Sequence, residues 1–275
     1  MENIRDYVLR QKQKLKEKIE ALQHKPTLAI IQVGHVEASN RYVKNKIKDA
    51  NEISLPVKLI SCEEDISEEE LLNIIKQLND DPNITALICQ LPLPKHISEQ
   101  KVIEAIDPKK DADGFSPLNK YCSAATPSGI VTFLEDQNFD FDGKNAVILG
   151  RSNIVGKPAH KLLLERHMNV IMLHTHTSEA DKKFYLEHAD LIIVATGKRH
   201  TLTDMYNLKQ SAVIFDVGIN FDENQKLCGD CDYDKLVDKV AYISKVPGGC
   251  GLLTRLQLLI NTVKLYELNN WFRKF

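Results

Sequence analysis

Several groups of residues have types and spacings that could do chemistry. Tyr42 and Lys46 stand four apart in a stretch rich in Lys and Asn, so on a helix they share a face and can meet a common ligand. A solvated face is the ordinary alternative for such a pair. Cys89-Gln90-Leu91-Pro92-Leu93-Pro94 ends an apolar run with an amide and two prolines, and Lys110-Asp111-Ala112-Asp113-Gly114-Phe115 sets acids in a break marked by Gly and Pro. The C-terminal ends of strands in open α/β sheets are where ligands sit, although a single Gln or Asp there is more often a turn residue. In Asn145-Ala-Val-Ile-Leu-Gly150-Arg151-Ser152-Asn-Ile-Val-Gly156-Lys-Pro158 an apolar run enters a Gly-containing turn and then a helical pattern. A pyrophosphate is held this way, on backbone N–H groups at a helix N-terminus. Ser152 takes the place of the usual second glycine and Gly156 comes one residue late, so a plain tight turn is the competing reading.

The next apolar run, Val170-Ile-Met-Leu173, leads into His174-Thr175-His176-Thr177, with no acid where NAD enzymes hold the ribose hydroxyls. Hydroxyls and imidazoles there, with Arg151 in the turn, suit the 2′-phosphate of NADP, which is preferred over NAD; a solvated loop is the alternative. Short-chain dehydrogenases also use Tyr-x-x-x-Lys, but after the glycine turn of one domain, whereas this pair precedes the turn. Val246-Pro247-Gly248-Gly249-Cys250-Gly251 allows close backbone approach to a ligand, or a hinge. Cys228-Gly-Asp-Cys231 has a metal-like spacing, but a zinc site needs two more ligands and no second pair matches it. Small residues in a turn, and no metal, is the reading adopted.

These residues need elements to position them. The chain has 275 residues, with 36 Lys+Arg against 38 Asp+Glu, a net charge of -2 and 43% hydrophobic residues. This is room for about two domains with real cores. The balanced charge leaves no basic excess for nucleic acid, and the apolar runs are too short to span a membrane. Residues 1–22 form a charged helical segment with Ile4, Val8, Leu15, Ile19 and Leu22 on one face, unlike a signal or transit peptide. The six scattered cysteines suit a reducing cytoplasm. Apolar runs at 27–33, 57–61, 84–89, 145–150, 169–173, 191–195, 212–216 and 241–244 read as strands. Helical patterns at 37–53, 68–79, 99–106, 128–137, 155–166, 179–188 and 235–238 fall between them. This alternation predicts an α/β fold of two lobes, the second a Rossmann-like parallel sheet. The break at 107–127 sets the boundary, giving 1–117 and 118–251. A last helix, 252–275, carries Leu252, Leu256, Leu259, Val263 and Tyr266 on one face and is expected to return to the first lobe.

Taken in order, seven stretches resemble the bifunctional methylenetetrahydrofolate dehydrogenase/methenyltetrahydrofolate cyclohydrolase family over nearly the whole chain. They are Ala38-Ser39 before Tyr42-x-x-x-Lys46, Gln90-Leu-Pro-Leu-Pro94, Lys110-Asp-Ala-Asp-Gly114, Thr126-Pro-Ser-Gly129, Gly150 to Pro158, Asp216-Val-Gly-Ile-Asn220 and Pro247-Gly-Gly-Cys-Gly251. The resemblance implies NADP-dependent oxidation of 5,10-methylenetetrahydrofolate and hydrolysis of the product to 10-formyltetrahydrofolate, within one-carbon metabolism that feeds purine biosynthesis. It implies folate in the cleft between the lobes, NADP along the second lobe, and a cytoplasmic homodimer. Carried over by position, Lys46 is the proton-transfer group, Tyr42 positions the pterin, Gln90 tunes Lys46 and Asp113 hydrogen-bonds the pterin ring. Leu91, Pro247, Gly248, Gly249 and Gly251 border the folate; Gly150, Arg151, Ser152, Thr175 and Ile219 contact NADP. Burial can pull a lysine toward neutrality and let it shuttle protons, while hydride transfer needs mainly orientation.

The chain departs from the family pattern in places. Leu252-Leu253-Thr254 replaces the usual Pro-Met-Thr, Ala125 stands where Cys is common, Thr175 replaces Ser, and His176 replaces Lys or Arg. The connection from Phe115 to Thr126 is also short. These changes motivate two alternatives, a cyclohydrolase with impaired dehydrogenase and a non-catalytic folate or dinucleotide sensor. The intact set Tyr42, Lys46, Gln90 and Asp113 favours the bifunctional enzyme.

Overall fold

A computed structural model describes residues 1–35 and 37–272, with the side chains of residues 37, 38 and 270–272 also outside the description. The chain forms two compact units, one from Leu9–Ala125 and Arg255–Phe275, the other from Met1–Val8 and Thr126–Thr254. Helices α1 (Ile4–Glu20) and α9 (Cys250–Phe272) contribute residues to both.

In the first unit β1 (Leu28–Val33) lies between β2 (Val57–Cys62) and β3 (Ala86–Cys89), all parallel. Every residue of β1 and β3 is buried, as expected of parallel strands covered on both faces. The crossovers are α2 (Glu37–Glu52) and α3 (Glu68–Asp80), and α4 (Glu99–Ala105) follows β3. Helix α3 starts at a capping box in which Glu70 N donates to Ser67 Oγ and Ser67 N donates to the Glu70 carboxylate. Its Leu71, Ile75 and Leu78 stripe packs on Ala29, Ile31 and Leu87. The acid-bearing break after α4 is tied to β3, since Leu87 N donates to Lys110 O at 2.7 Å and Ala112 N to Leu87 O at 3.4 Å.

The long stretch of the second unit opens in α5 (Ala125–Asp136), which starts before the expected Ser128. Pro127 falls in its first turn, where a missing N–H forfeits no helical bond. The sheet combines β4 (Asn145–Leu149), β5 (Asn169–Leu173), β6 (Leu191–Val194), β7 (Val213–Asp216) and β10 (Tyr242–Ile243) in the parallel order β10-β7-β6-β4-β5. Helices α6 (Gly156–Leu164) and α7 (Glu179–Glu187) connect its strands, and a short α8 (Tyr233–Leu236) precedes β10. The order reverses between β4 and β6, which makes the C-terminal ends of those strands the switch point where a doubly wound sheet binds its ligand.

Two features differ from the sequence expectation. A hairpin of β8 (Asn220–Phe221) and β9 (Leu227–Cys228) follows β7. Its strands are too short to show alternation, and its turn is held by Asp222 Oδ1, which accepts from Asn224 N and Lys226 N. Helix α9 is not buried along a single stripe: Leu253, Leu256, Gln257, Leu258, Leu259, Asn261, Thr262, Val263 and Leu265 are all buried. It is an interior helix, so its sequence lacks a clear polar face.

Candidate active site

Helix α2 presents Tyr42 and Lys46 one turn apart. Lys46 is buried, with a side chain 10% exposed, and its Nζ lies 3.9 Å from Asp113 Oδ1. Burial pushes the Asp113 carboxyl above its ordinary range, an effect opposed by Lys46 and reinforced by Asp111. Burial likewise raises the Tyr42 phenol, against the pull of Arg255 and Arg41. The Asp113 loop is rigidly held. Asp111 accepts from Gly114 N and Ser116 N, each at 2.9 Å, and from Asn119 Nδ2, while Asn261 Nδ2 of α9 donates to Ala112 O at 2.8 Å. Gly114 has φ 70° and passes so close to Ser123 that a Cβ would lie 2.4 Å from its carbonyl. Hence only glycine fits beside Asp113.

Gln90 follows β3 and donates from Nε2 to Leu91 O at 2.7 Å, while its Oε1 is buried without a hydrogen-bond partner among the described residues. A buried acceptor left open is costly unless a ligand or water completes it. Leu91 and Asp113 line one small cavity with Phe115. The structure therefore brings Lys46 and Asp113 into contact, sets Tyr42 beside them along α2 and places Leu91 near Asp113. It shows no hydrogen bond between Gln90 and Lys46. Ser39 is buried in α2, whereas the side chain of Ala38 lies outside the described residues.

A charged cluster on the same face of α2 was not singled out from the sequence. Asp49, one turn beyond Lys46, accepts from Lys12 Nζ at 2.6 Å and from Arg255 Nε, and Lys12 also reaches Glu52 at 2.7 Å. The signal was the extension of the Tyr42–Lys46 spacing to Asp49; its partners on α1 and α9 are distant in sequence.

In the second unit the glycine turn sits at the switch point. Gly150 has φ 116°, and a Cβ there would lie 2.3 Å from Ala195 O, in the loop after β6. A Cβ on Gly156 would lie 2.3 Å from Gly150 O. Ser152 Oγ accepts from Val155 N at 3.1 Å, turning the chain into α6. Arg151 and Ser152 are exposed, as are His174, Thr175 and His176 beyond β5 and Ile219 beyond β7. This cradle, closed to any side chain at Gly150 and open to solvent at Arg151 and Ser152, fits a dinucleotide pyrophosphate at a helix N-terminus, and residues 174–178, directly after β5, include no carboxylate. Pro247, Gly248, Gly249 and Gly251 belong to this unit, in and just after the loop that follows β10. Gly248 has φ 109°, and a Cβ on Gly249 would lie 2.6 Å from Lys245 O, whereas one on Gly251 would meet nothing. Thr126 and Thr254 are hydrogen-bonded at 3.0 Å, and a Cβ on Gly129 would lie 2.7 Å from Leu253 O. The Thr-Pro-Ser-Gly stretch thus fits α5 against the start of α9. Among the described residues no cluster of three or more His, Cys, Asp or Glu could hold a metal, all six cysteines are free, and no helix could cross a membrane.

Comparison with known proteins gives the family. Residues 4–113 match the catalytic-domain model of tetrahydrofolate dehydrogenase/cyclohydrolase, and residues 124–270 match its NAD(P)-binding-domain model. The Bifunctional protein FolD of Agathobacter rectalis is 43% identical over 264 residues, 92% of this chain and 94% of the relative. That of Staphylococcus aureus is 43% identical, covering 92% of this chain and 91% of the relative. The crystal structure of bifunctional FolD from Campylobacter jejuni superposes with a TM-score of 0.93 at 37% identity, covering 97% of this chain and 98% of that one. The Trypanosoma brucei enzyme, solved with NADP and an inhibitor, gives 0.92 at 26% identity, covering 98% and 97%. On sequence, on fold and on the glycine cradle and buried lysine just described, the chain belongs to the tetrahydrofolate dehydrogenase/cyclohydrolase family.

Proposed function

We propose that this bifunctional enzyme oxidises 5,10-methylenetetrahydrofolate with NADP and then hydrolyses the methenyl product to 10-formyltetrahydrofolate, with Lys46 as the proton-transfer group. The observation that carries the reading is the buried Lys46 amine 3.9 Å from Asp113, one turn from Tyr42. In the hydrolysis Lys46 Nζ takes the proton of the water that attacks the methenyl carbon and passes one to the departing folate nitrogen. Asp113, with its carboxyl held above the ordinary range by burial, can donate as well as accept, which suits hydrogen bonding to a pterin ring. Tyr42 supplies the aromatic surface that orients the pterin, and the open Oε1 of Gln90 supplies an acceptor that substrate, water or the lysine can complete. NADP when bound accepts the hydride in the oxidation. Gly150, Arg151 and Ser152 would hold its pyrophosphate, with Thr175 and the flanking histidines at the ribose phosphate and the exposed Ile219 as a further contact to the dinucleotide. Leu91, Pro247, Gly248, Gly249 and Gly251 are assigned to folate.

The match of residues 4–113 to the catalytic-domain model supports placing the folate chemistry in 1–117, completed by 252–275, and the dinucleotide in 118–251. Free cysteines and a net charge of -2 support a cytoplasmic enzyme without nucleic-acid or membrane partners. A homodimer supplying one-carbon units for purine biosynthesis completes the assignment. Purified protein mixed with methylenetetrahydrofolate and either NADP+ or NAD+, with reduced nicotinamide and methenylfolate followed separately, tests it. Reduced cofactor from NADP+ without accumulation of methenylfolate is expected. Absence of reduced cofactor with either nucleotide, alongside hydrolysis of added methenylfolate, would instead identify a cyclohydrolase with a dead dehydrogenase.

A further inference from the structure

The Cys228-Gly229-Asp230-Cys231 stretch, read as a turn from the sequence, contains a fully buried carboxylate with an unusual set of partners. Asp230 Oδ2 accepts from Thr196 N at 2.6 Å, Thr196 Oγ1 at 2.8 Å and Gly197 N at 2.9 Å. Asp230 Oδ1 accepts from Asn220 Nδ2 at 2.8 Å. Thr196 and Gly197 lie in the loop after β6; Asn220 ends the loop after β7. Both loops leave the C-terminal ends of central strands of the parallel sheet, one of them at the switch point.

The surrounding geometry leaves no slack. Asp216 Oδ1 accepts from Gly218 N at 2.9 Å and Asp230 N at 3.0 Å, and Asp216 Oδ2 from Cys231 N at 2.8 Å. A Cβ on Gly218 would lie 2.1 Å from Asp230 Oδ1, and one on Gly229 would lie 2.0 Å from Asp216 Oδ2. The segment carrying exposed Ile219 is thus strung between two buried carboxylates. The other arm of the clamp, Thr196 and Gly197, directly follows Ala195, whose carbonyl oxygen closes the space over Gly150. One carboxylate therefore fixes the loop bearing Ile219 and the loop against the glycine turn.

We propose that Asp230 is a positioning residue for the dehydrogenase reaction, its carboxylate clamping loops 195–197 and 217–220 so that Ile219 and the Gly150 turn are held ready for the dinucleotide. This rests on the assignment of Gly150, Arg151 and Ile219 to the cofactor. The clamp needs a carboxylate because its backbone and Asn220 partners are donors. An Asn at this place has the same shape but turns an NH2 group toward a donor in either orientation.

The test compares Asp230→Asn and Asn220→Ala with the wild-type enzyme, measuring the Kd of NADP+ by titration calorimetry, both half-reactions and thermal unfolding. Expected for Asp230→Asn is a rise of about tenfold or more in the Kd and KM of NADP+. The KM for methylenetetrahydrofolate and the hydrolysis of preformed methenylfolate, which needs no redox cofactor, stay within about twofold. Asn220→Ala, which loses one arm only, shifts the same quantities less, and it carries the test if Asp230→Asn does not fold. A merely structural role lowers the melting temperature and the active fraction while leaving the NADP+ Kd of the folded protein unchanged, and that result overturns the proposal. Ile219→Arg separates the two readings. If it too leaves NADP+ binding unchanged, the cofactor assignment fails; if it weakens binding while the Asp230 and Asn220 variants do not, only the clamp fails.

Discussion

Substitution of Asp49 by Ala should cost the enzyme a large part of its stability. Asp49 is the shared anion of two cations, Lys12 at 2.6 Å and Arg255, and the three side chains are 8%, 11% and 18% exposed. Removing it leaves those cations facing each other where little water can reach them. Breaking a buried pair by deleting one partner costs about 3–5 kcal/mol. Lys12 keeps Glu52 at 2.7 Å, but that carboxylate is 42% exposed and so a weaker partner. The low end therefore applies, about 3 kcal/mol, or a fall of about 6–12 °C in melting temperature for a protein of this size. Urea unfolding at constant ionic strength measures it. Arg255→Met placed on Asp49→Ala removes one stranded cation and should restore part of the loss, giving a coupling energy of about 1–3 kcal/mol in the double-mutant cycle. A loss below about 1 kcal/mol for Asp49→Ala, or strict additivity with Arg255→Met, would mean that Asp49 does not hold the two cations as a buried shared anion.

Gly150→Ala should weaken NADP+ binding by at least about tenfold in a direct titration, since its Cβ would strike Ala195 O at 2.3 Å and φ 116° is strained for any other residue, while hydrolysis of methenylfolate persists. Asp113 is held above the ordinary carboxylate range chiefly by burial, so the folded protein keeps a proton that the unfolded chain has released. Its contribution is fully present below the unfolded value of 3.8 and is lost as pH rises toward the elevated folded value. Denaturant titrations from about pH 4 to about pH 7 should therefore show wild type losing stability relative to Asp113→Asn, and a gain would reverse the assignment of direction.

Much of the fold was legible because each parallel strand is an unbroken apolar run flanked by helical periodicity, as at Leu28–Val33 and Leu191–Val194. The hairpin at Asn220 was not, because two-residue strands held by an aspartate turn leave no period to read. In α9 the expected stripe is buried at Leu256, Leu259 and Val263, but burial extends beyond it to Leu253, Leu258, Asn261 and Thr262, which a single apolar stripe does not announce. At the site, Lys46 and Asp113 stand far apart in the chain; the family resemblance assigns both to one site, but their contact at 3.9 Å is seen only in the fold. Asp230 was passed over because a Gly-flanked Asp looks like any turn residue until its four donors, drawn from the loop after β6 and the loop after β7, are seen together.

In the proposed function Lys46 moves the proton of the hydrolysis. The most direct measurement compares Lys46→Gln with wild type in both half-reactions, together with the affinity for the folate substrate. With Lys46 as the proton carrier, hydrolysis of methenylfolate falls by at least about a hundredfold in Lys46→Gln while folate binding is largely kept and NADP+ reduction from methylenetetrahydrofolate continues, with methenylfolate now accumulating. Hydrolysis at the wild-type rate in that variant would contradict it.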